Sequence, residues 1–175
     1  MWTSSRLRYE ALGHEHADAL VDALDDARVG EYIGGPDVST VAALHERIDL
    51  LAQGPGRPGE TWWNFVAIRS VDGALVGRLE ATVYGEWAEI AYVFDPDQWG
   101  RGYATEGTQW LIDHLAENGV HELWAAVQPE NVRSVRLLQR LGFLTMNRPG
   151  RQMGSFDAGD LVFALGARPA AGAEG

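Results

Sequence analysis

The sequence predicts a mixed α/β (α+β) domain: a central, mostly antiparallel sheet of about seven strands, about four flanking helices and one parallel crossover. Three stretches carry that prediction. From Glu89 to Gly107 a strand, a glycine turn and a helix start follow without a spacer. Leu75 to Tyr84 is an alternating run joined to that strand through Gly85-Glu86, a two-residue hairpin turn with glycine first. Asn131 to Phe143 is an amphipathic helix with its own start and stop signals.

The elements follow in order. Arg6 to Leu12 alternates as a first strand. Asp18 to Ala27 reads as one helix, with Leu20, Val21 and Leu24 inward and Asp22, Asp25 and Asp26 outward. Gly34-Gly35-Pro36-Asp37 breaks the chain, and Ser39 or Thr40 caps a second helix in which Leu44, Ile48 and Leu51 recur at helical spacing as far as Gln53. Gln53 to Gly59 is a surface loop inside the domain. Trp62 to Ile68 is the second strand, Val71 to Ala74 a turn and Leu75 to Tyr84 the third strand.

In the fourth strand Ile90, Tyr92 and Phe94 alternate with Ala91 and Val93, as in a strand covered on both faces. Pro96 has no N–H to give, so pairing ends there. Gly100 and Gly102 permit a turn with φ > 0. Ala104 to Asn118 is then a helix with Ala104, Thr108, Leu111 and Leu115 on one face, Gly107 close to the sheet and Gly119 as its stop. Glu122 to Gln128, short and apolar, is a central fifth strand parallel to the fourth. Asn131 caps the last helix, with Val135, Leu138 and Leu141 inward, and Gly142-Phe143 ends it. Leu144 to Met146 and Leu161 to Leu165 complete the sheet around a Gly-rich loop from Asn147 to Asp160. Residues 1–166 are thus expected to form one domain and residues 167–175 a frayed tail.

Composition narrows the function classes. With 175 residues, 46% of them hydrophobic, the chain suits a single full-sized core. It has no apolar run of membrane-spanning length and no signal-peptide stretch at Met1 to Arg6, so the expected location is cytoplasmic. The absence of cysteine rules out disulfides and thiolate chemistry. A net charge of −11 opposes nucleic-acid binding, and an anionic cofactor would have to be held by local dipoles. His14 and His16 lack metal-ligand spacing and read as surface residues, so no metal is expected. Ser155 lies in no nucleophile elbow.

The amides at the helix start after Gly102, with the positive end of the helix dipole, form an anion site suited to a diphosphate. It is neither a P-loop, lacking Gly-Lys-[Ser/Thr], nor a dinucleotide fingerprint, whose third glycine would fall at Thr105. The octet Trp99-Gly100-Arg101-Gly102-Tyr103-Ala104-Thr105-Glu106 instead resembles the pantetheine-diphosphate loop of the Gcn5-related N-acetyltransferase (GNAT) superfamily, in its ribosomal-protein alanine acetyltransferase (RimJ/RimL-like) form. Trp99 stands where the wider superfamily has Gln or Arg. The run Asn131-x-x-Ser134-x-x-Leu137-Leu138-x-x-Leu141-Gly142-Phe143 resembles the second cofactor-side helix of the same superfamily, in the right order. Arg6-Leu7 fits its usual first strand.

The resemblance implies a GNAT fold whose fourth and fifth strands splay apart for acetyl-CoA, and direct acetyl transfer to a primary amine. The acceptor would be a protein N-terminus or a small-molecule amine such as a polyamine or antibiotic. A different acyl group, or a non-catalytic CoA sensor, is the alternative. It further implies that the cofactor is held by Trp99 to Thr105, by Tyr92, Val93 and Phe94 around a bulge in the fourth strand, and by Asn131 and Ser134. The helix tyrosine that many relatives use as acid is Leu138 here, and Ser134 is its substitute. The segments facing the acceptor, Val29 to Asp37, Gln53 to Trp63 and Asn147 to Asp160, carry no motif; Tyr32, Trp62, Trp63 and Tyr84 are the aromatic candidates there. Trp62 and Trp63 point to opposite faces, so one can be core. A monomer or homodimer is expected.

The hairpin also fixes a register. With Gly85-Glu86 as the turn, Tyr84 pairs with Trp87, Thr82 with Glu89 and Glu80 with Ala91. Glu80 and Glu89 then share a face with Thr82 and Tyr84, while Leu79, Ala81, Val83, Ile90 and Phe94 form the apolar one. As diagonal neighbours the two acids are expected to raise one another's pKa, which suits the base that accepts the ammonium proton.

Overall fold

The computed structural model describes residues 1–33 and 40–166. The break at Gly34 to Asp37, the cap candidate Ser39 and the tail 167–175 lie outside them. The strands are β1 (Trp2–Thr3), β2 (Leu7–Ala11), β3 (Thr61–Arg69), β4 (Leu75–Tyr84), β5 (Trp87–Phe94), β6 (Glu122–Val127), β7 (Leu144–Met146) and β8 (Leu161–Leu165). They form one sheet in the order β1-β2-β3-β4-β5-β6-β8-β7, in which β5 and β6 are parallel and the other neighbours antiparallel. The helices are α1 (Ala17–Leu24), α2 (Ala27–Ile33), α3 (Val41–Gln53), α4 (Tyr103–Glu117) and α5 (Val132–Arg140).

The mixed, mostly antiparallel sheet with one parallel pair matches the expectation, and two details differ. The extra strand β1 is two residues pairing Trp2 with Tyr9 and Thr3 with Arg8, too short to leave an alternating pattern. The single helix from Asp18 to Ala27 is in fact two. Asp26 ends the first by folding its carboxylate onto the Arg28 N–H (2.8 Å) and guanidinium (2.6 Å), which starts α2 afresh. An aspartate that bonds to the nearby backbone competes with helix continuation.

Helices cover both faces. On one, Leu20 and Leu24 of α1 and Leu44 and Ile48 of α3 pack against Val66, Ile68 and Leu75. On the other, Leu111 and Leu115 of α4 and Leu138 of α5 pack against Leu79, Ile90 and Phe94. Gly107 lets α4 settle on the sheet, since a Cβ there would meet the Phe94 ring at 2.8 Å. Thr40 caps α3 by accepting from the Ala43 N–H (3.1 Å), and Asn131 caps α5 by accepting from the Ser134 N–H (3.1 Å). The hairpin register is the expected one, Tyr84 to Trp87, Thr82 to Glu89 and Glu80 to Ala91.

The parallel pair is short. β5 and β6 share Trp87–Glu122, Ala88–Leu123 and Glu89–Trp124, and then part. No bulge in β5 causes this: β4 and β5 stay in register as far as Gly77–Phe94, and the irregularity lies between β3 and β4 at Ala67/Ile68. Past that point β6 keeps its other partner, pairing with β8 from Leu123 to Val127.

Glu106 ties the glycine-turn helix to the N-terminal strands. Its Oε1 accepts from Ser4 Oγ and the Arg6 N–H, both at 2.7 Å, and its Oε2 from Arg6 Nε at 2.7 Å. Burial works against its charge, but the bonds from Ser4 and Arg6 outweigh it and hold the carboxyl below its ordinary range. A depressed pKa contributes stability that is complete above the unfolded value of about 4.3 and is lost as pH falls through the folded value. Glu106→Gln is therefore expected to cost about 1–3 kcal/mol at neutral pH, and less at acidic pH, in denaturant melts. Equal stability of the two proteins at both pH values would contradict this role.

Candidate active site

The opening between β5 and β6 leads into a cavity of about 630 Å³. Its walls come from β5 (Tyr92, Val93, Phe94), the glycine turn and α4 start (Trp99, Gly100, Gly102, Tyr103, Ala104, Thr105) and α5 (Asn131, Ser134). These residues, distant in the chain, meet because α4 and α5 lie on the same face of the sheet. Arg101 is not in the wall; its carbonyl accepts from Arg6 Nη1 (2.9 Å).

Two backbone features make the cavity polar where its side chains are not. Gly100 has φ 79° and Gly102 φ 84°, so the turn delivers the first amides of α4 with no side chain before them. The second feature is in β5. The Asp95 N–H donates to the Val76 carbonyl (3.0 Å), so Asp95 faces β4. By the alternation of an antiparallel ladder, the N–H groups of Tyr92 and Phe94 face the other way, into the opening, while that of Val93 belongs to the ladder. The Phe94 carbonyl confirms the sense, since it accepts from Trp99 Nε1 (2.8 Å) across the same edge.

Sequence reasoning missed the cations. Arg28, Arg133, Arg136 and Arg140 line the cavity, so dipoles are not the sole attraction for an anion in this acidic protein. Arg133 lies over the Trp99 ring (4.4 Å) and Arg140 Nη1 is 3.4 Å from Thr105 Oγ1. Their spacing along α5 is the stripe of one helix face, a signal present in the sequence. Arg28 is fixed by Asp97 (2.9 Å) as well as Asp26. Tyr32, expected near the acceptor, also lines this cavity.

Glu80 and Glu89 lie on the opposite face and outside the cavity wall. They do not face each other as an isolated pair of acids. Glu80 Oε1 is 3.1 Å from Arg47 Nη2 and 3.3 Å from Arg78 Nη1. Glu89 is buried at the fork, and the loop from Asn147 to Asp160 caps it: Ser155 N–H (2.7 Å) and Oγ bond Oε1, and Gly154 N–H (2.8 Å) bonds Oε2. Tyr84 stacks on Trp87 (centroids 4.3 Å), and its pKa is raised by burial and then by the charges of Glu60 and Glu89. Trp62 donates to Glu60 (2.9 Å), whereas Trp63 packs on the other face against Phe65 and His114. His16, expected at the surface, is buried, with Nδ1 accepting from the Gly13 N–H (3.0 Å). Among the described residues no group of side chains could hold a metal ion, and no helix is long and apolar enough to cross a membrane.

Comparison with known proteins agrees with this geometry. Residues 6–144 match the family model of the acetyltransferase (GNAT) domain. The chain is 33% identical over 151 residues to an uncharacterized N-acetyltransferase, YnaD, of Bacillus subtilis, covering 85% of this chain and 83% of that protein. Among solved structures, a putative ribosomal-protein-serine acetyltransferase from Vibrio cholerae superposes with a TM-score of 0.75 at 18% identity, over 93% of this chain and 95% of that one. RimL, a ribosomal L7/L12 alpha-N-protein acetyltransferase solved with coenzyme A, does so with a TM-score of 0.74 at 19% identity, over 94% and 97%. CoA fits the residues present. The N–H groups of Tyr92 and Phe94 face the opening, and the helix start and the arginines suit phosphates.

Gly102→Val adds a branched side chain at φ 84°, beside Arg6 Nη2 (3.3 Å from a Cβ), and disturbs the amides of the turn. Calorimetry on the folded variant is expected to show CoA affinity reduced at least about 100-fold. Unchanged affinity would remove the turn from the binding site.

Proposed function

The chain belongs to the GNAT acetyltransferase family and is an acetyl-CoA-dependent acetyltransferase, and we propose that its acceptor is a primary amine presented to the fork between β5 and β6. The observation that carries this reading is the end of the parallel pairing at Glu89–Trp124, where Glu89 is buried beside the opening on the face opposite the cavity. Bound acetyl-CoA supplies an acyl carbon activated as a thioester.

The chain's own residues then have distinct tasks. The amides of Gly102 to Thr105, with the arginines of α5, hold the phosphates. The inward N–H of Phe94 or Tyr92 stabilises charge on the thioester oxygen. Glu89 receives the ammonium proton, directly or through water. Its Oε2 takes a single hydrogen bond from Gly154, which leaves an acceptor site on that oxygen. Glu80, held by two guanidiniums, sets the charge of the same face. Ser134 donates a hydrogen bond to the departing sulfur. Glu60, Glu89, Tyr84 and Trp62 make the acceptor side negative and aromatic, which favours a cationic amine.

Turnover of acetyl-CoA with a panel of amines, from N-terminal peptides to polyamines, tests the reading; CoA release with none of them would overturn it. Ser134→Ala is expected to lower kcat by about 100-fold while changing the acetyl-CoA KM little. Glu89→Gln should lower kcat by about 100-fold, whereas Glu80→Gln changes it far less. A Glu89→Gln enzyme with full turnover would leave Glu89 as a loop anchor alone.

A further inference from the structure

This inference rests on the acetyltransferase reading. A serine hydroxyl is an unfixed donor, because its hydrogen rotates about the Cβ–O bond. The structure contains what fixes it. Tyr92, on β5, places its phenolic oxygen 2.7 Å from Ser134 Oγ, on the first turn of α5. Both side chains line the cavity. Among the described residues Tyr92 is the only hydrogen-bond partner of Ser134 Oγ. The phenol is the more acidic of the two hydroxyls and so the better donor, and burial, only partly offset by the Ser134 bond, pushes its pKa upward and keeps it protonated.

The phenol also reaches the Ser134 carbonyl, but only at 3.5 Å, so its one hydrogen goes to the 2.7 Å contact with Oγ and the serine hydrogen is the one left over. The Glu130 carbonyl, one turn back, is where a helical serine would usually send it, but that carbonyl accepts from the Val132 N–H (2.8 Å) and makes no bond to Ser134. The remaining direction is the cavity. Leu138, at the position of the helix tyrosine in many relatives, is wholly buried core here. The phenol has instead arrived from the strand.

We propose that Tyr92 is a positioning residue for acetyl transfer: it donates to Ser134 Oγ and turns the serine hydrogen toward the sulfur that leaves when the C–S bond breaks. The electron pair of that bond goes to sulfur. Of the two protons that the acceptor ammonium gives up, one ends on sulfur and one in solvent, so neither hydroxyl is consumed.

The test is a double-mutant cycle of Tyr92→Phe and Ser134→Ala, read in kinetics and in binding. Tyr92→Phe keeps the ring and its packing. It is expected to lower kcat about 10-fold or more with the acetyl-CoA KM within about twofold, and to have under about a twofold effect in the Ser134→Ala background. The binding arm uses calorimetry with CoA and desulfo-CoA, which lacks the thiol, as pH is raised through thiol ionisation. The wild type should come to prefer CoA as the thiolate forms, and both single variants should lose that preference while binding desulfo-CoA normally. Additive effects on kcat, full turnover of Tyr92→Phe, or an unchanged thiolate preference in it would each overturn the proposal. Failure of the wild type to bind either ligand would instead sink the acetyltransferase reading on which it rests.

Discussion

Beyond Glu89 and Trp124 two neighbouring strands in the middle of a sheet stop sharing hydrogen bonds, and the working parts of the molecule are arranged around that opening. A row of unpaired backbone donors and acceptors inside a protein is costly unless something satisfies it. Water or a ligand with amides of its own must therefore occupy the edge. The opening is held from both sides, by β4 pairing along the length of β5 and by β8 pairing along β6. Both strands keep their outer partners beside the opening, so it lies inside the sheet and is not a frayed edge.

The remaining machinery follows from it. The chain leaves β5 at Pro96 and re-enters as α4 after two glycines, which puts a helix start at the mouth of the opening. Glu106, one turn into α4, locks that start to Ser4 and Arg6 at the far end of the sequence. Charge is partitioned in the same way. The protein as a whole is strongly acidic, yet the cavity beneath α5 is lined by arginines, while carboxylates gather on the opposite face. An anionic cofactor entering the cavity thus meets cations that the net charge of the chain does not suggest.

What the sequence made legible was local. The two-residue turn at Gly85-Glu86 determines the register of β4 on β5, and hence which face carries Glu80 and Glu89, because a hairpin that short allows little slippage. Gly100, Gly102 and Asn131 each announce a helix start by chemistry confined to a few neighbours. The rest depended on contacts between distant segments. Nothing near Glu89 foretells that Gly154 and Ser155 cap it, and nothing near Tyr92 foretells Ser134, since each pairing is made only when the sheet brings two stretches together. The split of the first helix was local but subtle: Asp26 reads as an outward polar residue until its carboxylate is seen to turn back onto Arg28. The arginine stripe of α5 is present in the sequence as Arg133, Arg136 and Arg140, but its place in the cavity depends on how α5 packs on the sheet.

The central claim is that the strand opening and the glycine-capped helix form one binding surface for CoA. Residue-resolved hydrogen–deuterium exchange of the protein with and without CoA tests it most directly. The account predicts new protection at the amides of Tyr92 and Phe94 and at those from Gly102 to Thr105 together, with little change at Val93, whose N–H belongs to the ladder. Protection confined to another part of the molecule, or none at saturating CoA, would contradict it.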